Sequence, residues 1–285
     1  MPQYRQPAYG TLPPAVKNLI ILNVICFVCF NLLQPQLQTF LALHLWGATN
    51  FAPHQLVTHL FMHSSLGHIF FNMFALWTFG SVLEQQWGTK RFLIYYFFTG
   101  IGAAILYSAA AYWELYPFIA PINQFLAQPD AASLQTLFQQ DIFGALAYCK
   151  QFTDALVCPN IDSFQQNANL FIQNSDKSQL PLIMSFVYDY KAFMLNLRTA
   201  VGASGAIYGL IMAYAFIAPN QTLYFYGILP IKAKYFAVLL GGVALFMGIQ
   251  NNPNDSIAHF AHLGGMVFGY ILLKYWQKTN DIKRF

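Results

Sequence analysis

The segment VGASGAIYG, residues 201–209, places one serine between glycines in an apolar stretch of the chain. Other apolar runs hold further polar groups, among them His68, Asn72 and His262. A serine hydroxyl becomes a nucleophile when a base such as imidazole takes its proton. An amide side chain can then donate a hydrogen bond to the developing oxyanion. Nucleophile, base and oxyanion donor are the groups that acyl transfer needs.

The composition defines the environment in which these groups would act. Of the 285 residues, 57% are hydrophobic and 8% are charged, whereas soluble domains carry roughly 25% charged residues. The mean hydropathy is +0.44. So few charges cannot cover a soluble surface, and the chain is predicted to be a polytopic membrane protein. The net charge of +4 is spread over short segments, which argues against a nucleic-acid partner.

Six apolar runs are long enough to cross roughly 30 Å of hydrocarbon as helices. They lie at about residues 18–35, 65–83, 92–113, 200–218, 234–250 and 257–276. The predicted fold is therefore an all-α bundle of six transmembrane helices, and the first span is interpreted as an uncleaved signal anchor. The predicted segments are an N-terminal tail at 1–17, helices 1–3 at 18–113, a loop insertion at 114–199, helices 4–6 at 200–276 and a C-terminal tail at 277–285.

The distribution of Lys and Arg predicts the orientation. With the N-terminus in the cytoplasm, ten of the fourteen basic residues lie in inside segments, and the outside loops at 36–64 and 251–256 hold none. The other four lie in the long loop at 114–199, and long loops are exempt from the positive-inside rule. Both termini are therefore predicted to be cytoplasmic. The absence of an evident transit peptide favours a bacterial inner membrane.

This topology puts the candidate groups at one depth. Spans two, four and six run in the same direction, so that Asn72, Ser204 and His262 lie near the outer face. His262 is a few residues into its helix, roughly 7 Å below the helix end at 1.5 Å per residue. His68 and Asn72 are four residues apart and share one helical face. Strongly polar groups inside a span face the protein interior, because lipid cannot satisfy them.

Small residues predict how two of these helices meet. Gly205 and Gly209 are four residues apart, as are Gly265 and Gly269, the spacing that lets membrane helices approach closely. Such an approach would bring a short serine side chain within hydrogen-bond reach of an imidazole. The spacing therefore predicts a pairing of Ser204 with a histidine of the sixth span.

Three motifs follow one another on predicted helices two, four and six. They are H-x4-H-x3-N at His63, His68 and Asn72, G-x-S-G at residues 202–205, and a sixth-helix pattern at Ala258, His262, Gly265 and Gly269. Together, and in this order, they resemble the rhomboid family of intramembrane serine proteases. The resemblance covers about residues 50–100 and 198–276 and leaves the long loop unmatched.

The resemblance implies a function and a set of roles. The chain would cleave transmembrane segments of membrane proteins near the outer face of the bilayer, through an acyl-enzyme and without a metal or cofactor. Ser204 and His262 would form a catalytic dyad. The implied supporting residues are Asn72, His68 and His63 around the oxyanion, Tyr208 against the imidazole, and Gly202, Gly205, Gly209, Ala258, Gly265 and Gly269 in helix packing. Glu84 and Gly88 match a structural polar cluster at the inner end of the second helix.

The sequence departs from the family pattern in two places. Many members carry a Trp-Arg pair in the first outer loop, where this chain has His54 and Gln55. The loop before the serine is also some tens of residues longer than in compact members, and its apolar runs predict short helices. A disulfide between Cys149 and Cys158 in that loop stays an open alternative.

Other functions are compatible with parts of the pattern. The spacings H-x4-H and H-x2-H also occur in metal-ligating histidine clusters, which leaves a histidine-ligated metal or haem oxidoreductase as an alternative. A non-catalytic binding protein of the same fold is another, and it would have no requirement for Ser204. Asp255 could serve as a third triad member, but its place in the surface loop QNNPNDS disfavours that role.

Overall fold

The computed structural model describes residues 12–30, 36–139, 161–174, 177–225, 229–250 and 258–279. The chain forms two compact units. The core unit comprises Met1–Leu43, Ala52–Ala110 and Ala200–Phe285, and the insertion unit comprises His44–Phe51 and Ala111–Thr199.

Helices make up most of the described chain. They are α1 (Pro14–Val28), α2 (Gln36–Leu41), α3 (Gln55–Thr58), α4 (Leu66–Trp87), α5 (Thr89–Ala127), α6 (Ala131–Gln139), α7 (Ile161–Asn174), α8 (Leu180–Asn196), α9 (Ser204–Ile217), α10 (Ala233–Gln250) and α11 (His259–Lys278). A 3₁₀ turn at His59–Phe61 precedes α4, which contains a π-helical turn at Leu76–Gly80. The strands are short: β1 (Leu43–His44), β2 (Thr199–Ala200), and β3 (Thr222–Phe225), which pairs antiparallel with β4 (Leu229–Lys232).

The predicted helical membrane bundle is confirmed, since each of the six predicted spans overlaps one apolar helix of the described residues. Within the described residues, α4, α5 and α10 are long and apolar enough to cross a membrane, and α1 and α9 are shorter apolar helices. The sixth span corresponds to the 20 residues of α11. Side chains of α10 such as Val238 and Phe246 are exposed, as expected of a surface that faces lipid.

Helix α5 is longer than the predicted third span, which was placed at about 92–113. It continues to Ala127, and the boundary between the two units falls within it after Ala110. The extension carries Leu115, Ile119 and Ile122, which are buried in the insertion unit. Their spacing of three to four residues forms one apolar helical face, so the chain stays helical beyond the length that a bilayer requires.

The first helix is fixed at its start by a carboxylate from α4. Glu84 accepts hydrogen bonds from the backbone N–H groups of Ala15 at 2.9 Å and Val16 at 2.8 Å. It also accepts one from the Thr89 hydroxyl at 2.6 Å. The first N–H groups of a helix lack partners within the helix, and a negative charge there is favourable. Glu84 therefore ties α1 to the end of α4, where Gly88 adopts a φ of +77°.

The insertion unit has a core of its own, formed by the helices that the sequence predicted in this loop. The rings of Phe138 and Phe164 stack with centroids 5.5 Å apart, and those of Phe164 and Phe186 with centroids 4.0 Å apart. These contacts join α6, α7 and α8. Cys149 and Cys158 lie outside the described residues, so the predicted alternative of a disulfide stays a prediction.

Candidate active site

The turn before α9, hereafter the serine helix, is determined by a glycine. Gly202 has a φ of +117°, a conformation that L side chains rarely adopt. Its N–H donates to the carbonyl of His59 at 2.8 Å. A Cβ at this position would lie 2.6 Å from Nε2 of His68. The glycine therefore both makes the turn and lets the His68 ring reach the start of the serine helix.

Ser204 is the first residue of the serine helix, and His262 lies in the first turn of α11, hereafter the histidine helix. The distance between Nε2 of His262 and Oγ of Ser204 is 2.9 Å. The imidazole is buried, with 9% of the residue exposed. A hydrogen bond of about 2.6–3.2 Å is the geometry in which a base can take the proton of a nucleophile.

The plane of the His262 ring is fixed by its neighbours. Tyr208 stacks on it with ring centroids 4.1 Å apart and an interplanar angle of 7°. Tyr208 and Ser204 are four residues apart, so they share one face of the serine helix. On the histidine helix, the His259 ring lies nearly perpendicular at 6.2 Å. The stacking holds the imidazole in the orientation that directs Nε2 at the serine hydroxyl.

The start of α4 adds polar groups next to the turn at Gly202. Ser65 caps the helix by accepting from the backbone N–H of His68 at 3.2 Å. The hydroxyl of Ser64 lies 3.1 Å from Nδ1 of His68, while the His63 ring meets the His68 ring edge-on at 4.9 Å. Asn72 is buried one turn further on, and its amide donates to the His68 carbonyl at 3.1 Å.

The serine and histidine helices meet through their glycines. A Cβ on Gly265 would overlap the carbonyl oxygen of Gly205, so this pair allows direct backbone contact. Gly209 and Gly269 have a different neighbour, because side chains of α5 occupy the space beside each of them. A Cβ on Gly209 would lie 2.6 Å from Cβ of Thr99, and one on Gly269 would overlap the Tyr95 hydroxyl.

Helix α5 was not among the elements that the sequence assigned to the site. Ala103 lies against Gly205 of the serine helix and Gly264 of the histidine helix. The segment TGIGAA at residues 99–104 is rich in small residues, and that was the available signal. Three helices, rather than two, therefore converge beneath the Ser204–His262 pair.

A small cleft opens beside Ser204, and most of the residues that line it are alanine or glycine. It is lined by His59 and Tyr107 among larger residues and by Ala103, Ala104, Ala200, Gly202, Gly205, Ala258 and Ala261 among small ones. Ala258 also caps the histidine helix, since its carbonyl accepts from the N–H of Ala261 at 2.9 Å.

Other candidate residues are placed away from this cleft or are not described. His54 and Gln55 both contact the carbonyl of Phe40, at 3.0 Å and 3.1 Å, so they fasten the first loop to α2. Within the ranges given above, no group of three or more His, Cys, Asp or Glu side chains converges as metal ligands would. Asp255 lies outside the described residues.

Comparison with known proteins identifies the family. Residues 50–114 and 180–278 match the Rhomboid domain. Over 51 residues, 18% of this chain and 10% of the relative, the sequence is 37% identical to rhomboid protease GluP of Bacillus subtilis. Over 99 residues, 34% of this chain and 38% of the relative, it is 31% identical to rhomboid-like protease 3 of Toxoplasma gondii. The chain thus spans less than half the length of these curated relatives. The domain match covers more than half of the chain, which therefore belongs to the rhomboid family.

Proposed function

We propose that this integral membrane protein is an intramembrane serine endopeptidase with Ser204 as nucleophile and His262 as general base. The observation that carries the proposal is the 2.9 Å contact between Oγ of Ser204 and Nε2 of His262. The family assignment supports it, and both relatives compared above are named as proteases. The proposal requires no metal or cofactor.

In the proposed reaction, His262 takes the proton of Ser204 as Oγ attacks the scissile carbonyl carbon. The tetrahedral intermediate collapses, the peptide C–N bond breaks, and the imidazolium gives its proton to the leaving amine. Water, deprotonated by the same imidazole, then attacks the acyl carbon, the ester C–O bond to Ser204 breaks, and the imidazolium returns the proton to Oγ. Tyr208, stacked on the imidazole, would keep the ring in one plane through these proton transfers.

The oxyanion would form where three donors can reach it. The backbone N–H of Ser204 lies at the start of a helix, where N–H groups lack partners within the helix. His68 approaches this point across Gly202, and Asn72 lies on the same face of α4 as His68. We infer that the Asn72 amide exchanges the His68 carbonyl for the oxyanion during the reaction, with His63 supporting the His68 ring.

The Asn72 role has a measurable consequence. Replacing Asn72 with alanine should lower the turnover rate by about 10²-fold, as loss of a single oxyanion donor does elsewhere. Folding should be retained, because the hydrogen bond that is lost lies within one helix. The measurement is the rate of hydrolysis of a fluorescently labelled transmembrane peptide in detergent. Full activity of Asn72→Ala would remove this residue from the mechanism.

The proposed substrates are transmembrane segments of other membrane proteins. A carbonyl within a helix is already hydrogen-bonded, so the substrate must present unwound backbone to Ser204. The wall of small residues around the cleft leaves room for a small side chain at the cut. With both termini in the cytoplasm, as the distribution of Lys and Arg predicts, Ser204 would act near the outer face of a bacterial inner membrane.

A fluorescent fluorophosphonate tests the nucleophile directly, because it phosphonylates only an activated serine. Purified wild-type protein in detergent should be labelled at one site per chain. Ser204→Ala and His262→Ala should both abolish labelling. Ser81→Ala is the matched control, since Ser81 also lies in a membrane helix with a buried hydroxyl, and it should label normally.

The alternatives give different results in the same experiment. Labelling that persists in Ser204→Ala contradicts the assignment of the nucleophile. A folded wild-type protein that does not label is the expectation for a non-catalytic binding protein. A stoichiometric metal or haem in the purified preparation would instead favour the oxidoreductase.

A further inference from the structure

Tyr95 of α5 contacts both the serine helix and the histidine helix, as Ala103 of the same helix does nearer the dyad. Tyr95 is fully buried, and its hydroxyl donates to the carbonyl of Gly209 at 2.9 Å. The same oxygen occupies the space that a Cβ on Gly269 would need. One hydroxyl group therefore touches the serine helix and the histidine helix at the level where both carry glycine.

The Tyr95 ring is held by two indoles. Its centroid lies 5.1 Å from that of Trp87 and 5.9 Å from that of Trp276, and the two indoles lie 5.6 Å from each other. We name these three residues the aromatic triad. Trp276 is part of the histidine helix and Trp87 ends α4, so the triad fixes the ring between helices. The packed indoles hold the Tyr95 side chain in one rotamer, which fixes the position of its hydroxyl group.

The contact of the Tyr95 hydroxyl with Gly209 and Gly269 lies at a distance from the dyad along both helices. Gly209 lies five residues after Ser204 and Gly269 lies seven after His262, which is about 7.5 Å and 10.5 Å along the helices at 1.5 Å per residue. Between the two levels, the backbones touch at Gly205 and Gly265. A change of spacing at Tyr95 would tilt the helices about that contact and move Oγ relative to Nε2.

We propose that Tyr95 is a positioning residue, whose hydroxyl sets the separation of Ser204 and His262. It contacts neither of them and acts through the backbone of Gly209 and the packing at Gly269. This inference rests on the proposed function, because its consequence is a slower reaction at Ser204.

The chain offers a matched control at the next position. Tyr96 is also fully buried in α5, but its hydroxyl has no hydrogen-bond partner among the described residues. Tyr95→Phe and Tyr96→Phe each remove one oxygen atom from a buried ring in the same helical turn. A general effect of losing a buried hydroxyl is therefore common to both variants, and an effect on dyad spacing belongs to Tyr95 alone.

The test is fluorophosphonate labelling kinetics of the wild type, Tyr95→Phe and Tyr96→Phe in detergent. Varying the probe concentration separates its binding constant, KI, from the rate of phosphonylation, kinact. A small displacement of the reacting atoms is costly, so Tyr95→Phe should lower kinact about tenfold with KI changed less than about twofold. Tyr96→Phe should change neither by more than about twofold. The final labelling stoichiometry counts the folded sites, so kinact is compared per competent molecule.

The possible results separate the positioning role of Tyr95 from the proposed role of Ser204. A kinact of Tyr95→Phe within twofold of wild type, or an equal fall in Tyr96→Phe, overturns the positioning role while leaving Ser204 as the nucleophile. A lower stoichiometry with unchanged kinact also overturns it, because that result shows a structural role alone. A wild type that does not label overturns the proposed function, and the positioning role with it.

Discussion

Two buried polar clusters in the core unit differ in how completely their groups are hydrogen-bonded. Among the described residues, the Glu84 carboxylate accepts from two backbone N–H groups of α1 and from the Thr89 hydroxyl. In the same ranges, the side chains of Ser204 and His262 share a single hydrogen bond. Burying polar groups costs free energy unless partners are found. The first cluster therefore holds the fold together, and the second retains donors and acceptors for a reacting molecule.

The two clusters should respond differently to substitution. Removal of Glu84 leaves N–H groups of α1 without a partner, which is a loss of stability. Changes around Ser204 and His262 should alter the reaction rate more than the free energy of unfolding. The largest expected effect is where the backbones of the serine and histidine helices touch, because this contact affects both the reaction rate and the free energy of unfolding.

That point is Gly265. Its replacement with alanine places a Cβ on the carbonyl oxygen of Gly205, so the helices must separate at the level nearest the dyad. Gly265→Ala should abolish fluorophosphonate labelling and lower the midpoint of thermal unfolding. Both are measured on purified protein, with unfolding followed by circular dichroism.

Gly242→Ala is the control for adding a methyl group to a membrane helix. A Cβ at Gly242 of α10 meets nothing within 4 Å, and alanine is favoured over glycine in a helix by about 1 kcal/mol. This variant should label normally and unfold no earlier than the wild type. Normal labelling of Gly265→Ala would show that the dyad does not depend on the close approach of the two helices.

The next effect concerns the Glu84 cluster, which is expected to stabilise the fold without affecting the reaction. Glu84→Ala should lower the free energy of unfolding by about 2–3 kcal/mol, since buried N–H groups lose a charged acceptor. The kinact for fluorophosphonate, taken per folded site, should stay within twofold of wild type. Unfolding by denaturant in detergent gives the first quantity and labelling kinetics the second.

Glu114→Gln provides the reference for a carboxylate outside the core. Glu114 forms an ion pair with Arg198 at 3.4 Å, and the side chains of Arg198 and Glu114 are 43% and 19% exposed, so water reaches both. Exposed ion pairs contribute about 0–1 kcal/mol, so this variant should be little destabilised. A Glu84→Ala protein as stable as Glu114→Gln would remove the structural role of Glu84. A large fall in its kinact would instead show that the two clusters are coupled.

Patterns within single helices predicted much of this molecule. The apolar runs predicted the positions of six helices, and the family resemblance, not periodicity, supplied the role of Tyr208. The four-residue spacing of small residues also predicted a close approach of the serine and histidine helices, although not which glycines meet. These features follow from local geometry, in which residues three or four apart are neighbours.

Contacts between distant segments were not predictable from the same patterns. Tyr95 resembles any aromatic residue of an apolar span, and only the fold shows that its hydroxyl donates to the carbonyl of Gly209. The sequence assigned Gly209 and Gly269 to helix packing without naming their neighbours, and in the structure the neighbour beside each is α5. The length of α5 was also underestimated, because the bilayer limits a span but does not end a helix whose apolar face continues into a second core.

The smallest expected effect concerns the orientation of the imidazole. Tyr208→Phe keeps the stacked ring on His262 and should leave kinact within about twofold of wild type. Tyr208→Leu keeps an apolar side chain but loses the stack, which is worth about 0.5–1.5 kcal/mol. That range corresponds to a fall of about two- to tenfold. A lower kinact in Tyr208→Leu with unchanged unfolding midpoint would place Tyr208 with the reacting cluster. Equal kinact in the leucine and phenylalanine variants would show that the hydrogen bond to Ser204 suffices to orient His262. The single hydrogen bond of this cluster would then fix the imidazole without the stacked ring of Tyr208.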